Sequence, residues 1–455
     1  MKIFFIGIGG IGMSGLAEYM LEKGNVVFGS DSGTSVITDR LAEKGAVIYT
    51  GHDKNNITGD IDLVVYTSAI SEANPELTAA REKSIKTVKR AGLLGEIVNG
   101  MFLIAVSGTH GKTSTTAMIA KMLIDAELDP TVFAGGTIDF LNGAAVRLGA
   151  GKIAVVEADE YDRSFLTLTP DIAIVNNIEE DHLDIYKDID DIKYNFIKFV
   201  NQSKEDAAAV LNGDDENVHD IINNIKTGNI IRFGISEGND VYSSDIKYNP
   251  AVGYASEFNI ISRGINKGSV QLKVQGIHNI KNSLAAYCVS EKFEIPFEVF
   301  AKSISHFTPV KRRLELVYSK GINIFDDYAH HPTEIRNSLE GIKLTAGGRI
   351  ITVFQPHLYT RTRDFYHEFA KSLAISDVLI LTEIYPAREE KIEGVSSELI
   401  ADEYEKIKGE KPVLENDPEK INSILKNIVK EGDTIVFQGA GSITLYCQNF
   451  VKSLY

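Results

Sequence analysis

The chain has 455 residues, of which 63 are acidic and 47 basic, and its formal charge of −16 disfavours a nucleic-acid-binding or anionic-membrane surface. Its 44% hydrophobic and 24% charged residues are typical of a globular protein, which excludes large-scale disorder. Two cysteines, Cys288 and Cys447, are too few for a disulfide framework, and no apolar run approaches the ~18 residues of a membrane span. We therefore expect a soluble, cytoplasmic protein of about three domains, with neither nucleic acid nor membrane as a partner.

Three stretches of the chain alternate short β-branched runs with amphipathic helical patterns, which predicts α/β domains built on mostly parallel sheets. We place these domains at residues 1–97, 98–308 and 309–455. In the first, the pattern predicts strands at Lys2–Ile6, Val26–Gly29 and Leu63–Thr67 and a helix at Ile11–Lys23. In the second, it predicts strands at Phe102–Val106, Ile153–Glu157 and Ile172–Val175, a small antiparallel part between Ile230 and Gln275, and a helix at Asn279–Lys292. In the third, it predicts strands at Asn323–Phe325, Arg349–Phe354, Val378–Thr382 and Thr434–Gln438.

The strongest local signal is a glycine-rich loop at residues 108–114, between a predicted strand and a predicted helix. Glycines let backbone N–H groups point into one concavity, and a helix N-terminus adds positive potential, so such a loop favours phosphate binding. We expect Lys112 to reach the β- and γ-phosphates of ATP and the Thr113 hydroxyl to ligate Mg²⁺. Val106 stands where the longer form of this loop has glycine, so the loop is of the shortened kind; an ordinary glycine turn is the alternative. The candidate ATP-binding residues of the loop are Gly108, Thr109, His110, Gly111, Lys112, Thr113 and Ser114.

Acidic and histidine side chains follow the next predicted strands of this domain. Glu157 ends one strand, and His182 lies in the loop after the strand Ile172–Val175. A nucleotide loop needs a carboxylate that holds Mg²⁺ at the end of a neighbouring strand. Each residue alone would more often be a solvated loop residue, but downstream of the phosphate loop we favour Thr113, Glu157 and His182 as magnesium ligands.

A second glycine motif, Gly7-Ile8-Gly9-Gly10-Ile11-Gly12, opens the chain and fits the dinucleotide fingerprint, with Asp31 about 20 residues further on. An NAD-dependent oxidoreductase is the obvious inference. The motif requires only that a pyrophosphate rest on a helix N-terminus, however, and a UDP-sugar meets that requirement equally well. Because a phosphate loop lies downstream, we favour the nucleotide-sugar. Its candidate contacts are Gly9, Gly10, Ile11, Gly12 and Asp31.

Further candidate residues lie in the later chain. Asn279 heads a predicted helix, where it either bonds a base or ribose or caps the helix. Asp327 and His330 belong to an acidic, histidine-rich run after a strand, which is poor core material and favours a site. Arg361, after another strand, is suited to bidentate binding of a carboxylate. The basic run Lys311–Arg313 is either solvated or supplies an arginine that stabilises charge during phosphoryl transfer.

Taken in order over essentially the whole chain, these motifs resemble those of the Mur ligases, which build the peptidoglycan stem and have relatives among folylpolyglutamate synthetases. The amino-terminal run and the run from His330 to Glu334 are similar to those of the alanine-adding branch. The resemblance implies a Rossmann-like domain that binds a UDP-sugar, a central P-loop ATPase domain, and a Rossmann-like carboxyl-terminal domain that closes over ATP and the amino acid. The motifs that carry it are residues 7–17, 108–114, 157–160, 327–334 and 354–357.

The resemblance also implies an activity and roles for the candidate residues. A ligase of this kind uses ATP and Mg²⁺ to add L-alanine to the carboxylate of UDP-N-acetylmuramate through an acyl phosphate, and we expect a monomer or a homodimer. Alternatives are a ligase that attaches a recycled peptide to the same UDP-sugar and, from a different class, an NAD-dependent oxidoreductase. The implied catalytic residues are Lys112, His182, His330 and Arg313; the implied nucleotide contacts include Asn279, Arg313 and Asp327; the implied amino-acid contacts are His330 and Arg361.

Two positions depart from the pattern of the family that the chain resembles. Leu358 follows His357 where the family has an arginine, so one carboxylate-binding arginine is absent. Ile197 stands where other Mur ligases have a carbamylated lysine. We therefore expect no carbamate ligand in this chain.

Overall fold

The computed structural model describes residues 1–183, 185–248, 255–387 and 389–455. The chain divides into two compact units. The first unit holds residues 1–243, 261–266 and 281–303, and the second holds residues 244–260, 267–280 and 304–455. Three β-sheets, mostly parallel, form the framework, and the predicted α/β class is confirmed.

The first sheet is formed by the amino-terminal part of the chain. Its strands are β1 (Lys2–Ile6), β2 (Val26–Asp31), β3 (Val47–Thr50), β4 (Leu63–Tyr66) and β5 (Lys86–Lys89), and its helices are α1 (Ile11–Glu22), α2 (Val36–Glu43), α3 (Pro75–Glu82) and α4 (Arg90–Val98). All strands are parallel, in the order β3-β2-β1-β4-β5. The strand order reverses between β1 and β4, so a ligand crevice is expected outside the carboxyl ends of these strands.

Helix starts in this unit fall into two kinds. Helix α2 begins with a capping box made by Ser35, and the side chain of Asn74 accepts two backbone hydrogen bonds at the start of α3. Helix α1 instead has Gly10 at its N-cap, with no side-chain hydrogen bond to its first turn. A glycine cap leaves the N–H groups of the first turn available to an anion, because no side-chain oxygen satisfies them. The glycine motif of the sequence therefore lies where an anion is best received.

The second sheet surrounds the predicted phosphate loop. Its strands are β6 (Phe102–Ser107), β7 (Thr131–Ile138), β8 (Ala144–Arg147), β9 (Ile153–Glu157), β10 (Ile172–Val175), β11 (Ala208–Asn212), β12 (Ile230–Gly234), β13 (Val241–Tyr248), β14 (Ser256–Ser262) and β15 (Ile265–Leu272), and the helices of this part are α5 (Lys112–Asp125), α6 (Ile189–Asn201), α7 (Glu216–Ile221), α8 (Ile277–Lys292) and α9 (Phe297–Ser305). In the first unit the order is β13-β12-β11-β10-β6-β9-β7-β8. Strands β9 and β10 flank β6 in parallel, so the carboxyl ends of all three meet at one edge.

Antiparallel pairing in this sheet is small, as predicted, but lies partly elsewhere. Strands β7 and β8 are antiparallel, whereas β12, which opens the predicted antiparallel part, is parallel to both β11 and β13. Helix α7 is the physical reason for the parallel pairing of β12 with β11, because it carries the chain back between these two strands as a crossover. Strands β14 and β15 are joined by Arg263 and Gly264, whose φ angles of 48° and 77° suit a two-residue hairpin. Residues 249–254 of the predicted part lie outside the described ranges.

The third sheet belongs to the second unit. Its strands are β16 (Glu315–Ser319), β17 (Asn323–Asp327), β18 (Ile350–Phe354), β19 (Val378–Leu381), β20 (Val413–Leu414) and β21 (Thr434–Gln438), and its helices are α10 (Pro332–Lys343), α11 (Tyr359–Leu373), α12 (Glu398–Lys408), α13 (Pro418–Ile428) and α14 (Ile443–Lys452). The order is β16-β17-β21-β18-β19-β20, and only the β16–β17 pair, among the described strands, is antiparallel. Strands β17 and β18, which precede the predicted histidine and arginine sites, both pair with β21.

The first two sheets share one hydrophobic core within the first unit. The core includes Phe5 and Leu16 from the first part and Phe133 and Phe196 from the second. Helix α1 packs so closely on β8 that a Cβ on Gly15 would lie 2.1 Å from Cγ2 of Val146. In the described ranges, no helix combines the length and apolar character that a membrane crossing requires.

The close contact between α1 and β8 gives a stability prediction. In Gly15→Ala, the added methyl overlaps the stiff Val146 side chain, and we expect the free energy of unfolding to fall by about 1–3 kcal/mol despite alanine's better helix propensity. In the double variant Gly15→Ala/Val146→Ala, the loss should be smaller than the sum of the two single losses. Gly33→Ala is the control, because that position has open space around it. Urea denaturation measures all four, and additive losses would contradict the packing.

Candidate active site

The predicted phosphate loop connects β6 to α5. Gly108 and Gly111 have φ angles of 132° and 80°, a region of backbone space that favours glycine. A Cβ on Gly108 would lie 2.9 Å from Cβ of Asn176 and 3.1 Å from the backbone nitrogen of Asn177. Gly111 is also the N-cap of α5, with no side-chain hydrogen bond to the first turn. Conformation and space thus both require the glycines, and the helix start is left available to phosphate.

Two asparagines that follow β10 hold this loop in shape. The backbone oxygen of Asn177 accepts the N–H of Thr109 at 3.1 Å, and its side-chain oxygen accepts the N–H of His110 at 2.7 Å. Asn176 is buried and donates to the hydroxyl of Thr115 at 3.0 Å. Their place in the sequence, directly after a predicted strand, is the signal that marks both asparagines as candidates to face the phosphates.

Lys112 begins α5 and points back over its own loop. Its ammonium donates to the carbonyl oxygens of Gly108 at 2.8 Å and Thr109 at 3.2 Å. It also lies 2.9 and 2.7 Å from the two carboxylate oxygens of Glu160. The side chains of this ion pair are 13% and 4% exposed. Because the pair is buried, removal of either partner leaves an uncompensated charge.

Burial and neighbouring charges set the protonation of this pair. Burial opposes the charged form of Lys112, but the carboxylates of Glu160, Asp159 and Glu157 outweigh it and raise the pKa of the ammonium. Burial also raises the pKa of the Glu160 carboxyl, against the attraction of Lys112. The lysine is therefore charged at neutral pH, and the ionisation of Glu160 depends on its partner.

The predicted magnesium ligands lie around the carboxyl ends of these strands. Thr113 is buried in the first turn of α5. Glu157 ends β9 and accepts the backbone N–H of Gly135 at 2.6 Å. Nε2 of His182 lies 3.7 Å from Oε1 of Glu160. The hydroxyl and carboxylate oxygens of Thr113 and Glu157 are the donors that Mg²⁺ prefers, whereas an imidazole suits it less well.

The amino-terminal glycine loop connects β1 to α1 and is tied to β2. The N–H groups of Gly7 and Ile8 donate to the carbonyl of Ser30 at 2.8 and 3.0 Å. Oδ2 of Asp31 accepts the N–H of Gly9 at 2.8 Å, and a Cβ on Gly9 would lie 2.9 Å from that oxygen. Asp31 therefore lies against the loop and helps to fix its shape; its predicted contact with a UDP-sugar stays a prediction.

A buried carboxylate that sequence reasoning missed supports the same loop. Glu76 is fully buried, and its Oε2 accepts the Ser30 hydroxyl at 2.6 Å and lies 2.8 Å from Nδ1 of His52. Its Oε1 accepts the side-chain amide of Asn56 at 2.8 Å. Because the carbonyl of Ser30 holds the glycine loop, Glu76 anchors that loop through Ser30. In the sequence, an acidic residue after Pro75 indicates only a helix start, so nothing marked it as buried.

In the second unit, two predicted amino-acid contacts lie around one histidine. Nδ1 of His330 lies 3.0 Å from the carbonyl oxygen of Tyr328, an arrangement in which this nitrogen carries the ring proton. The ring of His357 lies 5.8 Å from that of His330. Nη1 of Arg361 lies 3.5 Å from Nδ1 of His357, and the arginine is buried. His330 and Arg361 thus both lie beside His357, and their contact with an amino acid stays a prediction.

Three predicted nucleotide contacts in the second unit already have partners there. Arg313 lies 3.3 Å from a carboxylate oxygen of Glu334. Asp327 is buried, which raises its pKa, and its Oδ2 accepts the side-chain amide of Gln438 at 3.0 Å. Asn279 donates to the backbone carbonyl four residues earlier at 2.7 Å. These contacts account for the position of each side chain, and nucleotide binding by them stays a prediction.

Leu358 has an unusual backbone conformation for its residue type. It is the N-cap of α11, with φ 72° and ψ 136°. Its N–H donates to the carbonyl of Tyr385 at 3.0 Å, which holds the backbone in this conformation. A positive φ is costly for a branched side chain, so the pairing with Tyr385 is the constraint that maintains it.

Comparison with known proteins gives matches along almost the entire chain. Three family models match in succession: "Mur ligase family, catalytic domain" at residues 2–101, "Mur ligase middle domain" at 106–290, and "Mur ligase, glutamate ligase domain" at 312–441. A UDP-N-acetylmuramate–L-alanine ligase of Clostridium tetani is 44% identical, covering 99% of this chain and 98% of that protein. One of Sulfurihydrogenibium sp. (strain YO3AOP1) is 41% identical, covering 100% and 98%. The crystal structure of a UDP-N-acetylmuramate–alanine ligase of Thermotoga maritima matches with a TM-score of 0.83 and 28% identity, covering 100% and 99%.

The buried Lys112–Glu160 pair predicts a pH-dependent stability loss. In Lys112→Met, Glu160 stays buried without its cation, and we expect the free energy of unfolding at pH 8 to fall by about 3–5 kcal/mol. Burial then raises the pKa of Glu160 unopposed, so the folded state takes up a proton as the pH falls and the loss should be smaller at pH 5. Urea denaturation at several pH values measures this.

The control is the double variant Lys112→Met/Glu160→Gln, which has no buried charge at this pair. Its stability relative to the unmodified chain should vary less with pH than that of Lys112→Met. An equal loss of unfolding free energy for Lys112→Met at pH 5 and pH 8 would show that the ionisation of Glu160 does not depend on Lys112.

Proposed function

The chain belongs to the Mur ligase family, and we propose that it joins L-alanine to the carboxylate of UDP-N-acetylmuramate with ATP as the source of free energy. Relatives more than 40% identical over nearly the full chain have this activity in their names. One structural observation carries the proposal. Within the first unit, one cavity is lined both by Gly12 and Arg90 and by Glu157 and Asp159. Glu157 ends β9, which pairs with β6, the strand that leads into the phosphate loop.

The order of these groups suits a substrate with a nucleotide at one end and an acid at the other. A pyrophosphate resting on the start of α1 would direct the sugar toward Glu157, beside the phosphate loop. A nicotinamide enzyme, in contrast, needs no ATP site next to its dinucleotide site. The joint presence of both loops in one core therefore supports a ligase over an oxidoreductase.

The reaction requires an activated acid, because joining a carboxylate to an amine in water is uphill. A carboxylate oxygen of the sugar acid attacks the γ-phosphorus of ATP, the bond to the β-phosphate oxygen breaks, and ADP leaves. The amine of alanine then attacks the acyl carbon, and phosphate leaves from the tetrahedral intermediate. Both reactants of the first step are anions, so positive charge between them lowers its barrier.

We propose that Lys112 and Arg313 supply the positive charge that lowers the barrier of this first step. The ammonium of Lys112 already spans the loop carbonyls at Gly108 and Thr109, which places it over the phosphate loop. Thr113 and Glu157, with His182 nearby, are the proposed holders of Mg²⁺. When bound, Mg²⁺ would offset the charge of the β- and γ-phosphates.

We assign the second step to the second unit. The amine must lose a proton to attack, and His330 is the proposed base. Its Nδ1 faces the carbonyl of Tyr328, so the lone pair of the neutral ring lies on Nε2. Arg361 is the proposed partner of the alanine carboxylate, since it is a buried guanidinium whose Nη1 lies 3.5 Å from Nδ1 of His357, in the same group as the proposed base.

Cellular setting and assembly remain proposals as well. ATP and a UDP-sugar as substrates support a cytoplasmic location. We propose domain boundaries at residues 97/98 and 308/309, and a monomer or homodimer as the assembly.

A phosphate-release assay tests the proposed function. We expect release from ATP only when UDP-N-acetylmuramate and L-alanine are both present, and not with nicotinamide cofactors. The double variant Lys112→Met/Glu160→Gln should release none, because the phosphate loop has lost its cation. Turnover with a stem tripeptide but not with L-alanine would instead assign the chain to peptide recycling.

The role of Arg361 predicts a selective kinetic change. In Arg361→Ala, we expect KM for L-alanine to rise about 10- to 100-fold, the range for a charge-assisted hydrogen bond, while KM for UDP-N-acetylmuramate changes little. Arg363→Ala is the matched control in the same helix, since Arg363 is exposed and pairs with Asp364. Equal changes in both KM values for Arg361→Ala would argue for a structural role.

A further inference from the structure

Arg90 lies against the amino-terminal glycine loop. It is the first residue of α4, directly after β5. A Cβ on Gly12 would lie 2.4 Å from Nη1 of Arg90 and 3.2 Å from its Cδ. Glycine at position 12 therefore makes room for a guanidinium beside the first turn of α1.

The guanidinium of Arg90 is poorly satisfied by the protein. Within the part of the chain that the structure describes, it donates no hydrogen bond, and its ion-pair partner, Asp159, lies 3.8 Å away, beyond hydrogen-bonding distance. The neighbouring Lys89, in contrast, donates to Asp162 at 2.7 Å. The side chain of Arg90 is only 32% exposed, so much of its surface is covered, while its five donors have no acceptor among the described residues. Such a group is suited to an anion from outside the chain.

The surroundings of Arg90 indicate where that anion would lie. Arg90 lines a cavity of about 60 Å³ whose walls include Leu16, Leu94 and Phe133. Glu157 and Asp159 also line the cavity, and Arg90, 3.8 Å from Asp159, offsets part of their negative charge. Helix α1, with its glycine N-cap, contributes the positive end of its dipole on the same side as Nη1.

We propose that Arg90 is a positioning residue that binds the pyrophosphate of the sugar nucleotide at the start of α1. This inference rests on the proposed function and adds a residue to its nucleotide-sugar site. A planar guanidinium matches two phosphate oxygens at once, whereas a lysine ammonium offers only a point charge. Since Nη1 lies beside Gly12 in the first turn of α1, the helix on whose start a pyrophosphate rests, we expect the contact to be with the pyrophosphate and not with the acid of the sugar.

Calorimetric titration with UDP and with UDP-N-acetylglucosamine tests this proposal. Neither ligand carries the acid of the substrate, so a change in their affinity reports on the pyrophosphate contact. We expect Arg90→Ala to bind both about 10- to 100-fold more weakly, and Arg90→Lys to recover part of the loss. Arg81→Ala is the control, because Arg81 lies in the same part of the chain and pairs with exposed Glu72; its affinity should not change.

Steady-state kinetics separate positioning from a general loss of structure. With Arg90→Ala, we expect KM for UDP-N-acetylmuramate to rise while kcat and KM for ATP stay near their original values, as for a contact made equally in ground and transition states. Thermal melting checks that the variants fold. If Arg90→Ala does not fold, the same measurements are made on Arg90→Lys.

Two results would overturn the inference. One is an unchanged affinity of Arg90→Ala for UDP and UDP-N-acetylglucosamine. The other is a loss confined to UDP-N-acetylmuramate, which would place Arg90 on the sugar acid. If the unmodified chain binds neither UDP nor its sugars, the proposed function fails instead, so the two failures are distinguishable.

Discussion

The buried ion pair of Lys112 and Glu160 is the interaction on which the phosphate loop depends. An ammonium with 13% of its side chain exposed is costly to bury, and the carboxylates around it make the charged form stable. The lysine is in turn tied to the carbonyls of Gly108 and Thr109, so the position of Glu160 influences the shape of the loop. The loop is therefore built by residues outside its own motif, including Asn177 after β10.

The same principle applies to the amino-terminal glycine loop. Its glycines permit the turn, but Ser30 and Asp31 at the end of β2 hold it, and the fully buried Glu76 fixes Ser30. The two loops belong to one core, in which α1 lies in van der Waals contact with β8 near Val146. A reaction between an acid carried by one nucleotide and the terminal phosphate of another needs two such loops at a fixed separation, and a shared core supplies it.

The sequence was sufficient to predict the strands and turns that have a strong local pattern. Buried strands such as Phe102–Ser107 have uninterrupted apolar runs, and the glycine motifs mark their own turns. The short strands β3 and β5 were missed because they are half-exposed; Lys86–Lys89 has a lysine at each end and no apolar run. The sequence also could not distinguish Glu157 from Glu160 as the partner of the lysine. Glu157 ends β9 and Glu160 lies three residues beyond it, and only the turn after β9 decides which carboxylate reaches Lys112.

Three candidate cations of this acidic chain share one arrangement, each with a carboxylate close by. The separations are 2.7 Å for Lys112–Glu160, 3.3 Å for Arg313–Glu334 and 3.8 Å for Arg90–Asp159. A nearby carboxylate keeps a cation charged and oriented, but a substrate anion must compete with it. The closest and most buried pair is the hardest to displace, so it suits the ligand with the most charge, a triphosphate. The Arg90–Asp159 pair has the longest separation and suits a ligand of smaller charge. This ranking is the one expected if Lys112 binds ATP and Arg90 binds a sugar pyrophosphate.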